Sequence, residues 1–377
     1  MNPLNVVWLA RELITFKTIT PQEEGIFDFI QSLFPGFEVV RADKEGVKNL
    51  FLYKRLGACD NPLHFCFAGH IDVVPAGEGW SVDPFGGVIE DGFLYGRGAQ
   101  DMKGGVAALL CAVHDFCKQE NPPNAIISIL LTSDEEGEAL YGTQYMLEVL
   151  QEQNLLPHFA LVAEPTSAET LGDSVKIGRR GSISGQIVVN GISGHVAYPK
   201  TCLNPIDLIA DKLMLISGAL LDKGDDFFAP SKLVITTLKS VSQASNVTPK
   251  TLEIRFNVRN SPLTSAEHIQ EFLDTILAKV PCDIELITNS KPFLSSQDSP
   301  LAVQTKRAIL ETLQITPEFN TKGGTSDARF LRAFGVEVVE FGLLNDRIHA
   351  LDERVALGDL EKLQQVFLRL LHLVLKD

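Results

Sequence analysis

Apolar positions recur at helical spacing over residues 4–17 and 21–34 and predict two amphipathic helices at the start of the chain. Short strands are expected around 37–41 and 49–54. The pattern then changes to short continuous apolar runs, Leu63 to Ala68, Ala125 to Thr132 and Phe159 to Ala163, with the length and composition of strands buried on both faces. Helical stretches at 102–118 and 143–153 separate these runs. The alternation predicts an α/β fold whose sheet is covered by helices on both faces and is mixed rather than wholly parallel.

From Ser182 the rhythm is different: strand 183–189, helix 205–220, strands 232–239 and 252–258, helix 266–280 and strand 283–288. That β-α-β-β-α-β order is the order of a ferredoxin-like α+β unit. A helix at 300–313, a strand at 336–342 and a closing helix at 357–375 then resume the earlier style. The expected organisation is a mixed-sheet domain made of residues 1–180 and 293–377, with a ferredoxin-like domain inserted at 181–292. No internal repeat at a solenoid period and no low-complexity segment interrupts this pattern.

Composition narrows the functional classes. The chain has 377 residues, 45% hydrophobic and 21% charged, so it can bury cores for two domains. A net charge of -15 argues against nucleic acid or an anionic membrane as partner, since both demand a basic face. Cys59, Cys66, Cys111, Cys117, Cys202 and Cys282 show neither C-x-x-C spacing nor a dense framework, which fits reduced thiols in a cytosolic protein. The N-terminal stretch carries Arg11 and Glu12 within its apolar pattern and does not read as a signal peptide. The apolar runs fall far short of the ~20 residues that span a bilayer. A soluble, cytoplasmic protein is expected.

The ends of the apolar runs carry the candidate chemistry. His70 and Asp72 follow the first run, two residues apart and facing the same side. Asp101 stands in the glycine-rich segment Gly96–Gly105 just before a helix, where alone it would read as an N-cap. Asp134-Glu135-Glu136 follow the second run, Glu164-Pro165 the third, and His349 comes after the last. Each would be unremarked by itself, but together they gather at the carboxyl ends of strands, where open α/β sheets place ligands. Asp101, Glu136 and Glu164 with one hydroxide would balance two divalent cations. A histidine and a glutamate for each ion suit zinc, with cobalt or manganese as substitutes, and such a pair suits metal-assisted hydrolysis. Adjacent glutamates outside a helix point apart, so one of Glu135 and Glu136 is left free to act as general base. No G-x-S-x-G elbow, Walker loop or H-E-x-x-H occurs, and Asp101 occupies the sixth position of the would-be G-x-G-x-x-G.

Basic residues in this acidic chain bear on the substrate. Lys176, Arg179 and Arg180 cluster at the junction of the two expected domains and Arg259 ends a strand of the second, where guanidinium forks would suit carboxylates. The turn from Thr321 to Asp327 is rich in small residues and backbone donors, able to cradle a carboxylate or simply to connect two elements.

Five segments, Gly69 to Gly77, Gly96 to Gly104, Thr132 to Gly137, Ala163 to Pro165 and Gly323 to Asp327, resemble the di-zinc aminoacylase and carboxypeptidase group of metallopeptidase relatives in order and spacing over nearly the whole chain. The resemblance implies that His70, Asp101 and Glu164 hold one zinc and that Asp101, Glu136 and His349 hold the other. It makes Glu135 the general base and Asp72 the carboxylate that orients His70. It further implies that the inserted unit is a lid and dimerisation domain of a homodimer, with His195 reaching into the partner's site to stabilise an oxyanion. Substrate carboxylates would meet Arg179, Tyr198, Asn246, Arg259, Gly324 and Thr325. Ile177 to Ser182 and Gly194 to Pro199 resemble the branch that takes N-succinyl amino acids. The expected reaction is hydrolysis of N-succinyl-LL-2,6-diaminopimelate to succinate and LL-2,6-diaminopimelate, with deacetylation of N-acetylornithine or another N-acyl amino acid as the alternative.

Overall fold

Helix α1 (Val6–Thr15) forms where the periodicity places it: Asn5 caps it by accepting the Trp8 N–H, and Leu9, Ala10, Leu13 and Ile14 turn one apolar face inward. Helix α2 (Ile26–Ser32) is shorter than the pattern because Gly25, at φ 85°, supplies its N-cap in a left-handed conformation. These come from a computed structural model that describes residues 4–57, 61–119, 122–240, 242 and 244–375. Then follow β1 (Glu38–Arg41), β2 (Asn49–Leu56), β3 (Leu63–His70), β4 (Val88–Glu90), β5 (Phe93–Tyr95), α3 (Lys103–Phe116), β6 (Ala125–Thr132), α4 (Thr143–Glu152), β7 (Phe159–Val162) and β8 (Ser174–Lys176).

A second run comprises β9 (Gly178–Arg179), β10 (Ser182–Asn190), α5 (Pro205–Ile216), β11 (Lys232–Ser240), β12 (Thr251–Arg259), α6 (Ala266–Leu277), β13 (Cys282–Ser290) and β14 (Phe293–Leu294). The chain closes with α7 (Pro300–Leu313), β15 (Glu318–Asn320), α8 (Ala328–Ala333), β16 (Glu337–Glu340), β17 (Arg354–Ala356) and α9 (Leu357–Val374).

Two compact units result. The first takes Met1–Ile177, Ser295–Asn320 and Ser326–Asp377, and the second takes Gly178–Leu294 and Thr321–Thr325. The second unit therefore holds Thr321–Thr325, which the sequence placed with the first. Hydrogen bonds explain this: Arg179 Nη1 donates to the carbonyls of Lys322 and Gly324, and Thr321 Oγ1 donates to the Phe227 carbonyl.

The first unit is built on an eight-stranded sheet in the order β1-β2-β6-β3-β7-β16-β8-β15. Its centre, β6-β3-β7-β16, is parallel, and β1-β2, β2-β6 and β16-β8 are antiparallel, which is the mixed sheet expected. Every residue of β6 and all but the first of β3 are buried, as a strand covered on both faces requires. Helix α3 is buried along nearly its whole length, and Phe367 of α9 packs against the rings of Phe67 and Phe341.

The second unit has the order β11-β12-β10-β13, antiparallel throughout, within the expected β-α-β-β-α-β sequence. Leu252, Ile254, Phe256 and Val258 alternate with more exposed residues along β12 and join Ile183 and Ile187 of β10, Ile209 and Ile216 of α5, and Ile269 and Leu273 of α6 in one core. Helix α5 stops before the predicted 220 because Gly218 takes φ 78°. No helix among the described residues is long and apolar enough to cross a membrane. Cys59 lies outside the described residues, and the other five cysteines are free thiols.

Candidate functional site

The carboxyl ends of β3, β6, β7 and β16 converge in the first unit. His70 closes β3 in register with Thr132, which closes β6, so the Asp134–Glu136 segment leaves the sheet beside it. Glu164 stands just beyond β7. Close backbone packing holds this end together: a Cβ on Gly105 would collide with the Ala163 carbonyl, and one on Gly342 with the carbonyls of Ala163 and Glu164. Glycine at both positions lets helix α3 and the end of β16 press against the strand that delivers Glu164.

Asp101 is not a cap here. Met102 is the N-cap residue of α3 and makes no side-chain cap bond, while the Asp101 carboxylate faces two histidines. Its Oδ1 is 3.2 Å from His70 Nε2 and its Oδ2 is 3.4 Å from His349 Nε2. His349 Nε2 also lies 2.8 Å from Glu136 Oε1, and His70 Nε2 lies 4.0 Å from both Glu135 Oε2 and Glu164 Oε1. Two sets, His70 with Glu135 and Glu164, and His70 with Asp101 and Glu136, each bring donor atoms within 4.8 Å of one another. Donors bound at ~2.0–2.1 Å to a tetrahedral ion stand about 3.3 Å apart, so the spacing suits metal ligation. The donor set, imidazole nitrogen and carboxylate oxygen with no thiolate, suits zinc-like divalent ions. Glu135 is as near His70 as Glu164 is.

Charge in the cluster points the same way. Among the described residues the ion-pair partners of Asp101, Glu135 and Glu136 are the two histidines, with no lysine or arginine. Burial and the neighbouring Glu164 push the Glu135 carboxyl well above the usual range, with His70 opposing. Burial works to lower the His70 pKa, but the hydrogen bond to Asp101 and the charges of Glu135 and Asp72 raise it well above its ordinary value. Hydrogen bonds to Asp101 and Glu136 lift His349 to about 10. Protons thus hold the charge that a divalent cation would carry in their place.

Asp72 braces His70 and the Glu135–Glu136 segment from behind. His70 Nδ1 is 2.9 Å from the Asp72 carbonyl and 3.6 Å from its carboxylate, so the main chain is the nearer partner. The carboxylate accepts the N–H groups of Glu135 and Glu136 and the Thr20 hydroxyl. Asp72 therefore ties the loop after β6 to the end of β3, a role that Thr20, missed in the sequence, shares. A hydroxyl 52 positions away leaves no local signal.

The remaining candidates lie in the second unit. His195 is exposed; the Ala197 N–H donates to its Nδ1, and its Nε2 lies 3.2 Å from Asn246 Nδ2. The Tyr198 ring is 5.8 Å from the His195 ring. Arg179 is buried and braces the turn containing Gly324 and Thr325, and Arg259 ends β12. Lys176 belongs to the first unit, buried, with Nζ donating to Ser174 Oγ and Asn320 Oδ1.

Solved structures share this fold. An aminopeptidase PepT from Bacillus cereus superposes with a TM-score of 0.81 at 20% identity over 100% of both chains. A protein from Bacillus subtilis described as a dinuclear metal binding peptidase from the M20 family gives 0.74 at 14% identity over 98% of this chain and 97% of that one. In sequence, the chain is 54% identical to succinyl-diaminopimelate desuccinylase from Helicobacter pylori strain G27, covering 98% of each. It is 53% identical to the enzyme of that name from Wolinella succinogenes, over 98% of this chain and 100% of the relative. Residues 66–373 match peptidase family M20/M25/M40, a span that begins within β3 and ends within α9, and the chain belongs to that family.

Proposed function

We propose that the chain is a di-zinc succinyl-diaminopimelate desuccinylase, hydrolysing N-succinyl-LL-2,6-diaminopimelate to succinate and LL-2,6-diaminopimelate on the route to lysine. One observation carries this above the alternatives: identity above 50% extends over essentially the full length of relatives bearing that name. The cluster supplies the chemistry. His70, Asp101 and Glu164 would hold one zinc and Asp101, Glu136 and His349 the other, with cobalt or manganese able to substitute. Bound there, the ions would polarise the scissile carbonyl and lower the pKa of a water.

The residues do the rest. Glu135 takes the proton from the attacking water and delivers it to the departing amine. Asp72 keeps the Glu135 loop and the His70 ring in place. His195 is the donor to the developing oxyanion, acting from the partner subunit. Arg179, Tyr198, Asn246, Arg259, Gly324 and Thr325 recognise the substrate's carboxylates and polar groups.

A homodimer through the second unit is supported by apolar exposure. Met214 is 87% exposed and Leu215 56%, both on α5, and Val234 and Leu238 project from the edge strand β11. Exposed apolar side chains on a strand at the end of a sheet and on a helix of the same unit are suited to burial against a second copy. The proposal includes a cytoplasmic site of action, supported by free thiols at Cys66, Cys111, Cys117, Cys202 and Cys282.

Assay of the zinc-loaded protein on N-succinyl-LL-2,6-diaminopimelate and N-acetylornithine side by side tests the reading. We expect a preference for the succinyl substrate. Preference for the acetyl substrate reassigns the enzyme to acetylornithine deacetylation, and turnover of neither removes the amidohydrolase assignment.

A further inference from the structure

We propose that the buried pair Glu353 and Arg97 is the positioning brace of the metal centre, the carboxylate fixing the loop that carries Asp101 and the guanidinium fixing the turn that carries His349. This rests on the di-metal reading above. Glu353 is fully buried, and both its oxygens are doubly occupied: Oε1 accepts the N–H groups of Gln100 at 2.8 Å and Asp101 at 3.1 Å, and Oε2 accepts Arg97 Nη1 at 2.8 Å and the Gly98 N–H at 3.0 Å. One side chain thus gathers three backbone amides of the segment ending at Asp101.

Arg97, 2% exposed, works on the other side. Its Nη1 donates to the Ala350 carbonyl and its Nη2 to the carbonyls of His349 and Ala76, and the guanidinium lies 5.2 Å from the Trp80 ring centroid. His349 has φ 60°, a left-handed conformation that a residue with a side chain keeps only when its surroundings impose it. Gln100 adds a further tie, donating to Asp346 Oδ1 and accepting the Arg347 N–H. The ladder between β5 and β17 leads straight into this knot, with the Gly96 N–H donating to the Glu353 carbonyl.

Physical cost favours positioning over bulk stability. A buried ion pair loses hydration on both partners and is often no more stabilising than apolar residues of the same volume. What the pair does supply is geometry, since Asp101 and His349 come from segments about 250 residues apart and must meet within a few ångströms. Groups behind metal ligands typically tune affinity 10–100-fold.

Glu353→Gln keeps the volume and sets an amide NH2 against N–H groups that need an acceptor. Zinc affinity measured by competition with a chromophoric chelator should fall 10–100-fold for at least one of the two ions. Leu370→Ala, a core truncation in α9, serves as a control that lowers the melting temperature without moving zinc affinity. Should Glu353→Gln lower the melting temperature and still bind two zincs with wild-type affinity, the pair is structural only and the proposal fails. If Glu353→Gln does not fold, Arg97→Lys decides: it keeps the cation but not the fork to Ala350 and His349, and wild-type zinc affinity in that variant also overturns the brace. Absence of zinc binding by the wild type would remove the di-metal reading itself, and the brace with it.

Discussion

The two regions that hold the candidate residues are built differently. In the first unit His70, Asp101 and Glu164 are buried or nearly so and stand at or just beyond element ends, Asp72 backs His70 and the Glu135–Glu136 segment, and His349 is the exposed member. In the second unit His195, Tyr198 and Asn246 are exposed and touch chiefly one another, while Arg179 alone is buried. A metal site needs donors fixed to within fractions of an ångström before the ion arrives, and burial with several partners achieves that. Groups that meet a substrate only during turnover gain from remaining mobile and hydrated until then. The first-unit cluster should therefore govern metal content and the chemical step, and the second-unit set should govern the transition state or binding with the metals untouched.

The largest effect should follow Glu135→Gln, which preserves shape and removes the proton acceptor. We expect kcat to fall about 10²–10⁴-fold with two zincs retained per chain, checked by steady-state kinetics and metal analysis. Loss of one zinc would identify Glu135 as a ligand, which its 4.0 Å approach to His70 makes a pointed outcome.

His195→Ala should lower kcat by ~10²-fold with a smaller change in KM and no change in zinc content. Mixing inactive Glu135→Gln and His195→Ala chains should restore activity, since a mixed dimer holds one site with Glu135 from one chain and His195 from the other. No recovery after verified subunit exchange would remove the cross-subunit role. The smallest effect belongs to Asn246→Ala. Losing one exposed neutral hydrogen bond, worth ~0.5–1.5 kcal/mol, should reduce kcat/KM by roughly 2–12-fold and leave zinc binding alone. A drop in zinc content with either substitution would mean that the exposed set also shapes the metal site.

Much of this was legible because the strands at the centre of the sheet are continuous apolar runs, and the residues that follow them are the ones the fold gathers into one cluster. His70, Glu136 and Glu164 could be read off the stops of Leu63–Ala68, Ala125–Thr132 and Phe159–Ala163. The order of the second unit was legible for the same reason, from alternation such as that of β12. What escaped has no periodicity. The three-residue strands β4, β5 and β17 are too short to carry a pattern, although their pairing leads into the loop of Asp101. Glu353 acts by accepting backbone N–H groups, and any carboxylate in a polar loop looks the same in sequence. Asp101 had two readings in one dimension, helix cap and ligand, and only the positions of His70 and His349 in space separate them. The allegiance of Thr321–Thr325 rests on carbonyls accepting from Arg179, which leave no trace in residue type.

The pairing of β16 with β7 sets the order in which the working parts come into existence. Between Phe159 and its partner Glu337 the ribosome must make the whole of β9 to β14, at about 5–20 residues per second a delay on the order of ten seconds or more. Throughout that interval β7 has β3 on one side and an open edge on the other, and the carboxylates already synthesised lack the second histidine. A chain cut short before Glu337 would therefore carry most of the acids and neither the closing strand nor His349.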